Sequence, residues 1–351
     1  MNCKVLLLVL LLVGCSDLVS DDTLTDGPYV QMQANQWEAL WVCQGQRKSY
    51  RFPPPVQDMS IEKCGQAAQL SPLPASRPDV AYPAAGKLAV ISDIHGQFEL
   101  FKRLLVAHQI MDAQGNWLFG EGQLVISGDV FDRGPKQTEA LWLIYQLQQQ
   151  AQATGGKVHF LLGNHETMVL NGDLRYLNEK YEKVANLLNR PFARLYGEDT
   201  LLGQWLRTRN VLVKIGDMLF LHGGLHPELA REGRTLADIN QVFTGQLVED
   251  QDQPRQGFAR YLHKTNGPIW YRGYFKDPQA SQQDINLLKQ HFGVAHILVG
   301  HTTQRHIRTL YNGDVIAIDS GIKGGESGEI LLLEGQNFYR GSPNGSRQRL
   351  E

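Results

Sequence analysis

Residues 87–96 read KLAVISDIHG, an apolar, β-rich run that leads directly into polar side chains and a glycine. The pattern returns as LVISGDVFDRG over residues 124–134 and as VHFLLGNHE over residues 158–166. Helical patterns over residues 98–108 and 136–150 separate the three runs. Strands that alternate with helices are typical of an α/β domain built from βαβ units. We therefore expect the three polar clusters to meet at the carboxyl edge of one sheet, where such sheets bind ligands.

The later part of the chain carries further β-rich runs at closer, hairpin-like spacing, which indicates a second, mixed sheet. These runs are Val211–Ile215, Met218–Leu221, His296–Val299, Val315–Ile318 and Ile330–Leu333. We predict an α/β fold in which two mixed β-sheets pack as a sandwich flanked by helices, with the site at the C-terminal ends of the strands. Two polar regions of helical pattern, about 170–210 and 227–290, are candidate lids over that site.

Six side chains at the strand ends form a candidate site for two metal ions. They are Asp93, His95, Asp129, Asn164, His222 and His301. Carboxylate, imidazole and amide groups together suit Mn, Fe or Zn. Asp129 can bridge two ions about 3.5–4 Å apart, and Asp93 and His95 should point the same way because alternate strand residues share a face. Pro135 suits the first turn of the next helix, whose N-terminus would favour a phosphate. Glu166 fits either a role in supporting the site or a helix-terminal role.

The motifs DxHG, GDxxDRG, GNHE, HGG and GH occur in this order between about residues 87 and 335, each after a β-rich run. As a set they resemble those of the calcineurin-like metallophosphoesterases, in particular the phosphoprotein phosphatase branch. The resemblance implies that the six residues hold two ions, with Asp93, His95 and Asp129 around the first. Asp129 would be shared with the second ion, which the other three residues would complete.

The same resemblance implies roles for further residues around the metal ions. His165 would be the general acid, oriented by Asp132, and Arg133 would bind the phosphate together with Arg272 of the WYRG motif. Asn164 would contact the substrate as well as a metal ion. A water between two cations would ionise near neutral pH and attack phosphorus in line. His165 would then protonate the leaving oxygen.

The chain also departs from the family pattern. Ser92 stands where the first motif usually has glycine, and Asp319-Ser320-Gly321 stands where the eukaryotic enzymes carry a SAPNY-like motif. Many other metallophosphoesterases have GHxH at the last motif, whereas this chain has Thr303 in place of the second His, which favours the protein-phosphatase branch. Together with an export signal, the departures make the chain resemble the bacterial Shewanella-like phosphatases, a group known for preferring phosphotyrosine. The residues by themselves do not show that preference.

The predicted function is that of a dinuclear-metal phosphomonoesterase acting on phosphoproteins. Two alternatives stay open: a diadenosine-polyphosphate hydrolase, which shares these motifs, and a non-catalytic surface lipoprotein that keeps the fold for binding. A cysteine-nucleophile phosphatase is excluded because no Cys lies beyond residue 64. The 34 Lys and Arg against 36 Asp and Glu, a net charge of -2, argue against a nucleic-acid partner.

Residues 1–15, MNCKVLLLVLLLVGC, have the pattern of an export signal, with a positive residue before an apolar run. The run is too short for a helix that spans a membrane, which takes about 20 residues. It ends in a sequence that resembles a bacterial lipobox. This predicts a signal peptide over residues 1–14 and a lipid anchor on Cys15, with the protein facing the periplasm or the outside. An ordinary secretory signal cleaved nearby is the alternative.

Three segments are expected after the signal: a flexible tether over residues 15–28, an N-terminal segment with a Pro-rich linker over 29–86, and a catalytic domain over 87–340. Cys43 and Cys64 are the cysteines that would remain after processing and lipidation. An oxidising compartment favours a disulfide between them, and two buried free thiols are the alternative.

Overall fold

The computed structural model describes residues 23–54, 58–72 and 76–351. The predicted signal peptide and the predicted lipid anchor on Cys15 lie outside these residues. Within the described ranges, no helix combines the length and the apolar character needed to cross a membrane.

An N-terminal β-unit precedes the two large sheets. It comprises the antiparallel strands β1 (Asp26–Met32), β2 (Trp37–Cys43) and β3 (Gln46–Phe52) and the hairpin of β4 (Met59–Lys63) and β5 (Gln66–Leu70). A disulfide joins Cys43, at the end of β2, to Cys64, in the turn between β4 and β5. The predicted pairing is therefore confirmed. In the chain-entropy model, a cross-link that closes a loop of about 20 residues stabilises the fold by roughly 3 kcal/mol.

Two six-stranded sheets form the centre of the molecule. The first contains, in spatial order, β17 (Arg347–Arg349), β16 (Asn337–Gly341), β15 (Ile330–Glu334), β7 (Lys87–Ile91), β8 (Gln123–Ile126) and β9 (Lys157–Phe160). The second contains β13 (Arg308–Leu310), β14 (Val315–Ala317), β12 (His296–Val299), β11 (Met218–Leu221), β10 (Leu212–Ile215) and β6 (Ala81–Tyr82). Strands β7, β8 and β9 are parallel, whereas β15 is antiparallel to β7. Both sheets are mixed, as the sequence predicts.

The alternation of side chains along β7 sorts apolar residues into two cores. Leu88 and Val90 join a core with Phe220 of the second sheet, so this core lies between the two sheets. Ala89 and Ile91 point the other way and join the larger core beneath the helices. A strand that is buried on both faces reads as a continuous apolar run, which explains why β7 was recognisable in the sequence.

Helices cover the outer faces of the sandwich. They are α1 (Phe98–Ala107), α2 (Gln137–Ala153), α3 (Asn164–Leu170), α4 (Glu179–Leu188), α5 (Leu201–Arg207), α6 (Glu228–Arg231), α7 (Leu236–Gly245), α8 (Gly257–Leu262) and α9 (Gln282–Phe292). Short 3-10 helices span Phe192–Tyr196, Tyr311–Gly313 and Ile322–Gly324. Helices α1 to α3 follow β7, β8 and β9, as the βαβ pattern predicts. Helices α4 to α9 fall in the two regions that were candidate lids.

Several boundaries differ from the sequence-based expectations. Helix α2 begins at Gln137, so Pro135 precedes the helix and is not in its first turn. The predicted linker contributes β6, which pairs in parallel with β10 of the second sheet. The first sheet continues past residue 340, because β17 ends at Arg349. Short edge strands such as β6 and β17 depend on a neighbouring strand, and their sequences carry little apolar pattern of their own.

Among the described residues, regular structure begins before residue 28, the predicted end of the tether. Strand β1 starts at Asp26, whose buried carboxylate accepts a hydrogen bond from the Tyr29 hydroxyl at 3.0 Å. The indole N–H of Trp142, on α2, donates to the carbonyl oxygen of Pro28 at 2.9 Å. These contacts attach the N-terminal β-unit to the helix that follows β8.

Candidate metal centre

The loops after β7 and β8 run side by side and carry three of the predicted ligands. The backbone N–H groups of Asp93 and His95 donate to the carbonyl oxygens of Gly128 and Asp129, at 3.1 and 2.9 Å. Asp93, His95 and Asp129 have positive φ angles of 56°, 48° and 58°. Such conformations are costly for residues other than glycine and are concentrated at functional sites. The expectation that Asp93 and His95 share a strand face is wrong, because both follow β7 in left-handed conformations.

Asp129 lies at the centre of the cluster. Its Oδ2 is 3.1 Å from Nε2 of His222 and 3.6 Å from Nε2 of His95. Two sets of side chains could each hold a metal ion: His95, Asp129 and His165 form one, and Asp129, His222 and His301 form the other. The two sets share Asp129. A carboxylate shared in this way would allow two ions to lie close together.

Backbone carbonyl groups orient two of the imidazole rings. Nδ1 of His222 donates to the carbonyl oxygen of Ser127, and Nδ1 of His95 donates to that of Phe131, both at 2.8 Å. Because a carbonyl oxygen can only accept, each Nδ1 carries the proton. Each ring is therefore turned so that its Nε2 faces Asp129. Histidines that bind metal ions are commonly held in one tautomer by a hydrogen bond of this kind.

Asn164 and His301 meet His222 on one side of the cluster. Oδ1 of Asn164, the first residue of α3, is 2.9 Å from Nε2 of His222, and Nδ1 of His301 is 3.1 Å from the same nitrogen. All three side chains are buried. The structure thus brings the predicted ligands of the second ion together around one small volume.

Asp93 lies between the side chain of His95 and the backbone of His301, and Ser92 helps to hold it there. Oδ1 of Asp93 is 3.9 Å from Nε2 of His95, and its Oδ2 accepts a hydrogen bond from the N–H of His301 at 3.0 Å. Oγ of Ser92 lies 2.5 Å from the same Oδ2. A Cβ atom at position 300 would overlap the side chains of both Ser92 and Asp93, so this close approach requires Gly300.

The buried carboxylates of the cluster favour the binding of cations. Burial raises the pKa of Asp93 to about 8, and the nearby Asp319 carboxylate adds to the shift. Burial opposes protonation of His222, but Asp129 and Asp93 outweigh it and raise the pKa of His222 to about 10. Burial and the adjacent His222 lower the pKa of His301 to about 2. Bound metal ions would compensate these buried negative charges, so the donor set fits divalent metals.

His165 has the partner that its predicted role requires. Its Nδ1 lies 2.5 Å from Oδ2 of Asp132. Burial lowers the pKa of His165, but the carboxylates of Asp129 and Asp132 outweigh burial and raise it above its usual value. Nε2 of His165 lies 3.9 Å from Oδ2 of Asp129. The same geometry that orients His165 also places it within reach of the metal cluster, so its role needs a direct test.

The two predicted phosphate-binding arginines occupy different positions. Arg272 donates from Nη1 to the carbonyl oxygen of His301 at 2.8 Å and therefore lies against the cluster. Arg133 is exposed, and its guanidinium lies 4.9 Å from the centre of the Tyr176 ring. The Tyr176 ring is also 5.3 Å from the imidazole of His165. Tyr176 belongs to the first candidate lid, and no pattern in the sequence indicates that it contacts these two side chains.

Glu166 supports the site from behind and also caps α3, so it fills both of its possible roles. Its buried carboxylate accepts hydrogen bonds from the backbone N–H groups of Asp129, Val130 and Gly163 at 2.8, 2.7 and 2.7 Å. Glu166 thereby ties the loop after β8 to the start of α3. Its place three residues after the N-cap residue is a known position for a glutamate that caps a helix, and this was the available sequence signal.

We expect Glu166→Gln to lower the free energy of unfolding by about 1–3 kcal/mol, because an amide cannot accept all three backbone hydrogen bonds and leaves a buried donor unsatisfied. Denaturant titration measures the change. The matched control is Glu179→Gln, an exposed position in α4. If both variants unfolded at the same denaturant concentration, Glu166 would not support the loop in this way.

Asp319 is a further buried carboxylate that was not assigned to the site. It accepts hydrogen bonds from Oγ1 of Thr303 at 2.7 Å and from the N–H of Gly321 at 3.0 Å. Its charge contributes to the raised pKa of Asp93. The DSG triplet stood out in the sequence as a departure from the family motif, but only the fold brings it beside Asp93.

Comparisons with known proteins agree with this geometry. A family model described as calcineurin-like phosphoesterase matches residues 86–305. The solved structure of the cold-active protein-tyrosine phosphatase of a psychrophile, Shewanella sp., is 40% identical, with a TM-score of 0.87 over 93% of this chain and 99% of that chain. Shewanella-like protein phosphatase 1 of Plasmodium berghei (strain Anka) is 29% identical over 68% of this chain and 67% of its own length. Shewanella-like protein phosphatase 2 of Arabidopsis thaliana is 26% identical over 71% and 74%, respectively.

Proposed function

Because the chain belongs to the calcineurin-like phosphoesterase family, and is thus a metal-dependent phosphatase, we propose that it is a dinuclear protein phosphatase that prefers phosphotyrosine. The observation that carries the dinuclear part is the position of Asp129, whose carboxylate is shared by two sets of candidate ligands. The similarity to a protein-tyrosine phosphatase over almost the whole chain supports the substrate class.

The ligand assignment we propose has two parts. The first ion would be held by Asp93, His95 and Asp129, and the second by Asp129, Asn164, His222 and His301. Mn, Fe and Zn all suit this set of carboxylate, imidazole and amide donors. When bound, such ions lower the pKa of a coordinated water and neutralise charge on the phosphoryl oxygens.

The protein's own residues would bind the phosphate and handle the proton. Arg272 lies against the metal cluster, and its planar guanidinium suits two phosphate oxygens. Arg133 would close over the substrate from the exposed side, with Asn164 as a further contact. His165 would give its Nε2 proton to the leaving oxygen, while Asp132 holds the ring through Nδ1. This arrangement needs no phospho-enzyme.

A panel of matched substrates tests the proposed specificity. Three peptides of one sequence, carrying phosphotyrosine, phosphoserine or phosphothreonine, would be compared with diadenosine tetraphosphate by kcat/KM. We expect the phosphotyrosyl peptide to be hydrolysed fastest. Faster turnover of the dinucleotide would instead support the alternative hydrolase. No hydrolysis of any substrate by the Mn²⁺-supplied protein would leave only the non-catalytic alternative.

We also propose that the protein is held on a bacterial membrane by a lipid on Cys15, facing the periplasm or the outside. The support is the apolar run that ends in a lipobox-like sequence. Cys15→Ser should abolish labelling by a radioactive fatty acid and stall processing or release the protein from the membrane fraction. Cys3→Ser, within the signal itself, is the control and should keep the label. Normal labelling of Cys15→Ser would disprove the anchor.

A further inference from the structure

A cavity of about 490 Å³ opens where β9, the edge strand of the first sheet, meets β6, the edge strand of the second. We call it the edge cavity. It is lined by β9, the C-terminal half of α2, the segment around residues 76–82, and Arg209 and Asn210. None of the proposed catalytic or metal-binding residues lines it. It is therefore separate from the site described above.

The edge cavity contains a buried cation that has no carboxylate partner among the described residues. The side chain of Arg209 is only 2% exposed. Its Nε donates to the carbonyl oxygen of Trp205 at 3.2 Å, and its Nη2 donates to Oγ1 of Thr208 at 2.6 Å. Both acceptors are neutral. A guanidinium removed from water without a counter-charge is costly, so its presence here needs an explanation.

A purely structural role explains part of the arrangement. Arg209 follows α5, and a cation near the carboxyl end of a helix is favourable. The guanidinium also lies 5.4 Å from the centre of the Trp205 ring. These contacts leave Nη1 without a hydrogen-bond partner among the described residues, and the side chain contributes to the cavity lining. The contacts at the end of α5 therefore use Nε and Nη2 of Arg209, and Nη1 is left to bind a ligand.

Two more cationic side chains, Arg77 and Lys157, line the same cavity. Nη1 of Arg77 donates to the backbone carbonyl of Arg209 at 3.1 Å, and both side chains line the cavity. Nζ of Lys157 lies 5.3 Å from the centre of the Tyr82 ring. The lining contains Asp79 as its only carboxylate among the described residues. Three cations against one anion give the cavity a net positive charge.

The pKa shifts of Arg209 and His159 agree with an electropositive cavity. Burial, followed by the charge of Arg77, lowers the pKa of Arg209 to about 10. Burial, followed by the charges of Lys157 and Arg209, lowers the pKa of His159 to about 3. The His159 ring is therefore neutral at neutral pH and lies 4.7 Å from that of Tyr82, centre to centre. The two rings provide flat surfaces next to the cations.

We propose that the edge cavity binds the phosphate or carboxylate group of a small molecule. Arg209, Arg77 and Lys157 would hold the oxyanion, because guanidinium groups match the geometry of such oxygens. Tyr82 and His159 would contact an attached apolar or aromatic group. The occupant would supply the counter-charge that Arg209 lacks in the protein.

The test uses the full-length, Zn²⁺-loaded protein with ¹³C-labelled histidines, followed by NMR. The His159 signal, assigned with His159→Gln, reports on the edge cavity, and the signals of His165 and His301 report on the catalytic cluster. Inorganic phosphate and phenylphosphonate are the two probes, and a tighter fit of phenylphosphonate would show that the rings contribute. We expect the His159 signal to move and saturate. Arg77→Met and Lys157→Met, both at exposed positions, should each weaken this binding about tenfold.

Arg209→Met should abolish the shift of the His159 signal altogether. If that variant does not fold, the two exposed variants decide the question. The control is Arg308→Met, an exposed position in β13 at the far edge of the second sheet, which should bind both probes like the natural protein. The proposal is overturned if both probes move only the signals of the catalytic cluster. It is equally overturned if the shifts of His159 are unaffected by Arg77→Met and Lys157→Met.

Discussion

Asp129→Asn is expected to remove both metal ions and to lower kcat by roughly a thousandfold or more, since the metal ions contribute several kcal/mol of transition-state stabilisation. The substitution keeps the size and shape of the side chain. It also keeps an oxygen that can accept the hydrogen bond which the N–H of His165 donates to Oδ1 at 3.0 Å. What it removes is the negative charge shared by the two sets of ligands, next to His95 and His222.

Metal analysis of the purified protein and steady-state kinetics would measure this effect. The matched control is Asp217→Asn, an exposed position in the turn between β10 and β11, which should keep both metal content and kcat. Full metal content in Asp129→Asn would show that the carboxylate does not bridge two ions. A variant that keeps its activity would refute the catalytic importance of the cluster.

His165→Ala is expected to keep its metal ions and to lose activity in a way that depends on the leaving group. For alkyl phosphates, whose leaving oxygen needs a proton, kcat should fall by roughly 10²–10⁴-fold. For an activated aryl phosphate, whose leaving oxygen barely needs a proton, the loss should be smaller. Asp132→Asn should show the same dependence in a weaker form, because Asp132 acts by orienting the His165 ring.

This experiment separates two roles that the geometry alone allows. Nε2 of His165 is 3.9 Å from Oδ2 of Asp129, and the His95–Asp129–His165 set could hold an ion. Loss of metal from His165→Ala would identify it as a ligand. Equal losses on alkyl and aryl phosphates, with the metal retained, would indicate that His165 positions the phosphate and does not donate the proton.

The sequence predicted the sandwich and its central strands because those strands are buried on both faces. Strands such as β7 and β8 then appear as uninterrupted apolar runs, and the residues that follow them necessarily meet at one edge of the sheet. The sequence did not predict β6 and β17. They are short edge strands that form because a neighbouring strand offers hydrogen bonds. Sequence reasoning found the right residues at Asp93 and His95 but gave the wrong reason, since the left-handed turn carries no apolar signature.

The supporting residues were harder to predict, because their roles arise from contacts between distant parts of the chain. Glu166 meets the N–H groups of Asp129 and Val130, more than 30 residues earlier in the sequence. Asp319 contributes to the raised pKa of Asp93, although most of the catalytic domain separates the two residues along the sequence. Local sequence patterns report periodicity and helix ends, and they do not report which loops the fold brings together.

Metal titration of the metal-free protein tests the central claim most directly. The protein would be stripped with a chelator and supplied with increasing Mn²⁺, while bound metal and hydrolysis of a phosphotyrosyl peptide are followed in the same samples. A dinuclear centre built around Asp129 predicts no hydrolysis without metal and full activity only when two ions are bound to each chain. Undiminished hydrolysis by the metal-free protein, or full activity with a single bound ion, would contradict it.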